Sequence, residues 1–107
     1  MRNVVLLFFI VIMSISFEFG SNKETTSIDI QKMVFLPSRV KIKVGDSVEW
    51  INNSTTMHNV VAEDGSFKSK MLKKDDKFSF KFEKKGTFKY FCQPHKAMGM
   101  KGEVIVE

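Results

Sequence analysis

Apolar side chains return at every second position in one segment of this chain after another. A period of two leaves little room for any architecture but packed strands. Val40, Ile42 and Val44 alternate with Arg39, Lys41 and Lys43, and Gly45-Asp46 then supplies turn chemistry before Val48 and Trp50 resume the pattern against Glu49. These residues predict a hairpin with one wet face. Phe78, Phe80 and Phe82 alternate with Lys77, Ser79 and Lys81; Lys84-Lys85-Gly86 turns the chain; Phe88, Tyr90 and Cys92 then share one face of the next strand. Cys92 is therefore expected to point into the core. Val104 and Val106 share a face of the last strand, and no window beyond residue 20 carries a sustained helical stripe. The expected class is all-β, an antiparallel sandwich or barrel, with room for one helical turn within Asp64 to Asp76. The alternation also assigns Trp50, the phenylalanines and Tyr90 to the core.

The first residues differ from the rest. Met1-Arg2-Asn3 sets a positive charge before the apolar run Val4 to Ile15, which is followed by Glu18 and the polar stretch Ser21-Asn22-Lys23-Glu24. A run of about a dozen residues matches a signal-peptide core and falls short of the roughly 20 that a spanning helix needs. Residues 1–20 are accordingly expected to be a signal peptide, with cleavage near Ser16 or Gly20, and residues 21–107 one domain. That organisation implies an exported protein, with the periplasm as the expected destination, no stable membrane span after processing, and a monomer. Lys and Arg total 17 against 12 Asp and Glu, a basic balance. Lys68, Lys70, Lys73, Lys74, Lys77, Lys81, Lys84 and Lys85 are scattered without interleaved stacking aromatics, so they read as solvated surface and not as a nucleic-acid interface.

The chain has a single cysteine. Cys92 cannot form an internal disulfide, and a free thiol in an oxidising compartment is open to oxidation unless something holds it. A metal is the obvious holder. In Cys92-Gln93-Pro94-His95-Lys96-Ala97-Met98-Gly99-Met100 a thiolate, an imidazole and a thioether can face one ion if the segment folds as a tight loop between strands. His58, the other of the two histidines, opens a separate apolar stretch, His58-Asn59-Val60-Val61. One soft thiolate, two imidazoles and a weak axial thioether suit a copper that cycles between Cu(I) and Cu(II), because the set compromises between the preferences of the two states. Donor chemistry alone leaves Met98 and Met100 both open as the axial thioether.

At this point a family resemblance becomes specific. The loop resembles that of the cupredoxins, closest to plastocyanin and pseudoazurin with amicyanin-like features, and the likeness runs from about Ile28 to Glu107. It is carried by Phe35-Leu36-Pro37, by Val44-Gly45-Asp46-Ser47-Val48-Glu49-Trp50-Ile51-Asn52, by His58-Asn59-Val60, by Gly86-Thr87-Phe88-Lys89-Tyr90-Phe91-Cys92 and by Gly102-Glu103-Val104-Ile105-Val106. The resemblance implies a Greek-key β-sandwich or barrel of seven to eight strands. It implies one copper held by His58, Cys92, His95 and Met100, since Met100-Lys101-Gly102-Glu103-Val104 matches the register that follows the ligand in the family. It further implies that Asn59 ties the two ligand segments together, and that the ring edge of His95 reaches the surface where electrons enter and leave. Met57, Gln93 and the polar approach Asn52 to Thr56 depart from the family pattern.

The expected function is a type 1 blue-copper electron carrier, working by outer-sphere one-electron transfer and not as an enzyme. Its expected partners are redox proteins, an acidic cytochrome or a copper or quinoprotein enzyme, docking on an apolar face of Met57, Pro94, Ala97 and Met98 with Lys96 at its edge. The alternative is a periplasmic copper carrier or sensor with no electron-transfer role. Zinc fits less well because it gains nothing from a thioether. Nucleophilic catalysis by Cys92 with His95 as base fits less well because the thiol faces inward. Haem attachment lacks its second cysteine. Met33 and Met71 lie far from the ligand loop in sequence.

Overall fold

The computed structural model describes residues 23–107; the expected signal segment and its cleavage region lie outside them. Among the described residues, eight strands make two four-stranded sheets. The strands are β1 (Thr25–Gln31), β2 (Val34–Leu36), β3 (Arg39–Ile42), β4 (Ser47–Asn52), β5 (Val61–Ala62), β6 (Lys77–Lys81), β7 (Gly86–Phe91) and β8 (Lys101–Val106). One sheet runs β2-β1-β4-β6 and the other β3-β8-β7-β5. Their inner faces carry the alternating apolar residues, so the all-β sandwich stands. Among the described residues no helix is long and apolar enough to cross a membrane.

Three local expectations are corrected. The hairpin expected over residues 39–50 does not form: β3 pairs with β8 and β4 pairs with β1 and β6, so the chain steps from one sheet to the other at Lys43 to Asp46. Alternation reports which face of a strand is buried and says nothing about its neighbour. The step is fastened by the Asp46 carboxylate, which accepts the N–H groups of Lys43 and Glu24, each at 3.1 Å. Val44 falls in this step and is 37% exposed, out of the inward series of Val40 and Ile42. The sandwich is also mixed, because β1 with β4 and β3 with β8 are parallel. The helical turn, expected within Asp64 to Asp76, lies instead at Gln93–Met98 as a 3-10 turn. Pro94 suits its first turn, and Gly99 ends it at φ 81°, a left-handed conformation that glycine adopts without steric cost.

The core is aromatic where the sheets meet beneath the β7–β8 loop. Trp50 on β4 meets the Tyr90 ring edge-on at 5.3 Å and 81°, and Phe35 meets it at 4.8 Å and 75°. All three side chains are essentially fully buried. Burying an aromatic ring of this kind contributes about 1.5–3 kcal/mol, with edge-on pairing adding to it. This packing pins β7 against the β2-β1-β4-β6 sheet. Cys92 follows the end of that strand and is fully buried.

Candidate metal centre

Three connections meet at one end of the sandwich: the β1–β2 turn, the stretch from Asn52 to Val61, and the β7–β8 loop. Their positions are fixed by backbone bonds. His58 and Leu72 exchange two hydrogen bonds, His58 N–H to Leu72 O at 3.2 Å and Leu72 N–H to His58 O at 2.7 Å. The Cys92 N–H donates to the Met100 carbonyl at 3.0 Å, and the His95 N–H donates to the Cys92 carbonyl at 3.2 Å. The β7–β8 ladder therefore runs on to its last rung between Cys92 and Met100.

Asn59 joins the two segments. Its Oδ1 accepts the Gln93 N–H at 2.8 Å, and its Nδ2 lies 3.4 Å from Gln93 Oε1. The expectation for Asn59 and the departure at Gln93 are thus parts of one contact.

His58, Cys92 and His95 come together. Their ligand atoms lie within 4.8 Å of one another. Cys92 Sγ is 3.6 Å from His58 Nδ1 and 3.4 Å from His95 Nδ1. Metal bonds of about 2.0 Å to nitrogen and 2.3 Å to sulfur, opened by 110–120°, require separations of about 3.5–3.7 Å, so the three donors fit a single ion. His58 and Cys92 are fully buried, while the His95 side chain is partly exposed. Met100 is buried at 1% exposure and Met98 is 68% exposed.

The electrostatics follow from that burial. Loss of solvent holds His58 below the ordinary imidazole range, helped by the nearby His95 ring and partly opposed by a backbone hydrogen bond with Lys32, a balance that favours the neutral ring able to donate a lone pair. Burial pushes the Cys92 thiol up, partly opposed by the backbone N–H groups of Asn59 and His95 aimed at the sulfur. A bound cation reverses that balance and leaves a thiolate.

Sequence reasoning missed several neighbours of the site. Thr56 Oγ1 sits 2.9 Å from His58 Nε2. Met33, distant in sequence, lines a surface groove with Lys32, Ser54, Thr56 and His95. Met71 directly precedes Leu72, the backbone partner of His58. With Met57 and Met98 they make four exposed methionines at this end, at 45%, 45%, 37% and 68% for Met33, Met57, Met71 and Met98. Only the strand topology brings them together. The Lys96 ammonium lies 4.2 Å from the centre of the Phe91 ring, at the rim of the same end.

A profile of the copper-binding proteins of the plastocyanin/azurin family matches residues 22–107. Plastocyanin of Scenedesmus fuscus is 38% identical over 90 residues, covering 74% of this chain and 92% of that protein. Amicyanin of Paracoccus versutus is 38% identical over 85 residues, covering 75% of this chain and 63% of the relative. Among solved structures, an oxidised amicyanin variant superposes with a TM-score of 0.71 at 37% identity, over 77% of this chain and 81% of that one. With fold, donor set and relatives in agreement, the chain belongs to the plastocyanin/azurin family of copper-binding proteins.

Proposed function

We propose that this protein is a type 1 blue-copper electron carrier in which His58, Cys92 and His95 are the close ligands and Met100 the weak axial one. The observation that carries the reading is the approach of both Nδ1 atoms to one buried sulfur, at 3.6 and 3.4 Å. Bound copper supplies a centre that exchanges one electron between Cu(I) and Cu(II). The protein's part is to keep the donors still. Cys92 is fixed by its rung to Met100, His58 by its pair of bonds to Leu72, and the two segments by Asn59. Little has to move when the charge changes, which suits outer-sphere transfer. No substrate bond is made or broken, so the protein is a carrier and not an enzyme.

The choice of Met100 over Met98 is supported by burial, since Met100 is 1% exposed and Met98 68%. Plastocyanin and amicyanin among the relatives favour an electron-transfer role at an exported location, with the periplasm as the preferred compartment and residues 1–20 as the signal. The partly exposed His95 is the electron port. A redox partner, an acidic cytochrome or a copper or quinoprotein enzyme, docks on the apolar face of Met57, Pro94, Ala97 and Met98, extended by Met33 and Met71. A pure copper carrier or sensor needs an exchange-labile site, and the full burial of His58 and Cys92 counts against it.

The test is to purify residues 21–107, add Cu(II) and record visible and paramagnetic spectra. An intense blue thiolate-to-copper band that disappears in Cys92→Ser is expected. A colourless protein with ordinary tetragonal copper signals, or a blue Cys92→Ser variant, refutes the assignment.

A further inference from the structure

A neutral imidazole carries one N–H and one lone pair, and the partner of one nitrogen decides which nitrogen is left to bind a metal. In His58, Nδ1 faces Cys92 and Nε2 faces the Thr56 hydroxyl. A hydroxyl can donate or accept, so Thr56 alone settles nothing. What biases the choice lies two residues further back at each step.

Asn52 is fully buried at the end of β4. Its Nδ2 reaches two backbone carbonyls, Thr56 O at 2.9 Å and Leu72 O at 2.8 Å. Carbonyls only accept, so both amide hydrogens are committed there, and the opposite orientation of the amide would set oxygen against two oxygens. Asn52 Oδ1 therefore faces Ser54, where it accepts the backbone N–H at 2.9 Å and lies 2.8 Å from Oγ. Ser54 has one hydroxyl hydrogen, and both of its short acceptors, Asn52 Oδ1 and Thr56 O at 3.0 Å, draw it away from Thr56 Oγ1. Toward Thr56 Oγ1, at 3.4 Å, Ser54 can only accept. Ser54 is thus an acceptor for the Thr56 hydrogen, an arrangement that leaves a Thr56 lone pair facing the ring at 2.9 Å.

We propose that the Asn52-Ser54-Thr56 relay is a positioning device that fixes His58 as the Nε2–H tautomer and so presents the Nδ1 lone pair to copper. The inference rests on the copper reading for its purpose, but the tautomer is a property of the protein without metal. Thr56 is a positioning residue and touches no copper. The Lys32 carbonyl also approaches the ring, which makes it the competing acceptor that the test must weigh.

The experiment uses the full exported chain labelled with 15N, metal-free and at a pH where the His58 ring is neutral. Two-bond 15N–1H correlation spectra report the tautomer. Cu(I) affinity is measured separately by competition with a chromophoric chelator. Wild type and Thr56→Ser should show His58 protonated at Nε2. Thr56→Val keeps the shape and removes the acceptor; it should admit the Nδ1–H form and weaken Cu(I) binding about 10-fold or more, the usual range for a group that orients a metal-binding histidine. Ser54→Ala should also admit the Nδ1–H form although Thr56 remains, because the threonine hydroxyl is then free to donate to the ring. A wild-type Nδ1–H signature overturns the proposal. So does a Thr56→Val protein that keeps Nε2–H and full Cu(I) affinity, which would make the Lys32 carbonyl sufficient. A wild type that shows the Nε2–H signature but binds no copper would sink the copper assignment while leaving the relay standing.

Discussion

Replacing Gly102 by alanine tests how β8 is held against β7 directly beneath the ligand loop. Gly102 pairs with Tyr90, the next rung is Phe91 with Lys101, and the last is Cys92 with Met100. A Cβ at Gly102 would land on the Tyr90 hydroxyl, 2.5 Å from its Cζ and 2.9 Å from the Ser38 carbonyl oxygen. Neither neighbour can retreat easily. The ring is boxed by Phe35 and Trp50, and the Ser38 carbonyl accepts the Glu103 N–H at 2.8 Å. Overpacking of this kind costs about 1–3 kcal/mol. A Gly→Ala change without strain gains about 0.4–1 kcal/mol through the unfolded chain, so sterics should win. For a domain of this size each kcal/mol moves Tm by about 4–8 °C, and the expected loss is on the order of 10 °C in a thermal melt followed by circular dichroism. The displaced rung should also perturb the Met100 contact and hence the visible spectrum of the copper-loaded protein. Tyr90→Leu in the same background should recover part of the loss, as a coupling of about 0.5–3 kcal/mol in a double-mutant cycle. An unchanged or raised Tm, or strictly additive variants, would refute the account of how the loop is anchored.

Met100→Ala should cost about 2–5 kcal/mol as a core cavity and shift the potential and spectrum strongly, whereas Met98→Ala should stay within about 0.5 kcal/mol with the spectrum nearly intact; melts and voltammetry check both. Burial raises the Cys92 thiol, so metal-free protein holds that proton at neutral pH and loses it on binding: copper affinity should fall about tenfold per pH unit as the solution is acidified, and calorimetry in buffers of differing ionisation enthalpy should count the proton released. Electron transfer with an acidic cytochrome should slow as salt rises, because exposed charges are screened beyond about 8–10 Å, and should slow further in Lys96→Glu and Met98→Lys; stopped-flow rates flat with salt and indifferent to both changes would rule out docking at this face.

The candidate metal ligands were legible in the sequence because their chemistry is scarce. One cysteine and two histidines leave few ways to build a soft site, and all three converge. Strand faces were legible for the same reason that partners were not. Val40 and Ile42, or Val48 and Trp50, declare their buried side by alternation, but β3 and β4 lie in different sheets, a fact carried by the step at Lys43 to Asp46 and by the remote partners β8 and β1. Thr56 carried no signal at all, since a threonine two residues before a histidine is ordinary until the backbone bends Nε2 toward its hydroxyl. Met33 and Met71 looked irrelevant because separation along the chain was taken for separation in space. The β1–β2 turn and the His58–Leu72 bridge undo that inference.

The four exposed methionines make the protein chemically vulnerable in a selective way. Thioethers at the surface are the first groups a peroxide or hypohalous acid meets, and each sulfoxide replaces a soft apolar tip with a strongly polar, chiral one. Met33, Met57, Met71 and Met98 are open to that attack, whereas Met100 is 1% exposed and shielded. Oxidative damage would therefore roughen the proposed contact face step by step and leave the proposed copper centre coloured and redox-active. Such a protein would still pass every spectroscopic check while failing to engage its partner, and enzymatic reduction of the sulfoxides would bring it back.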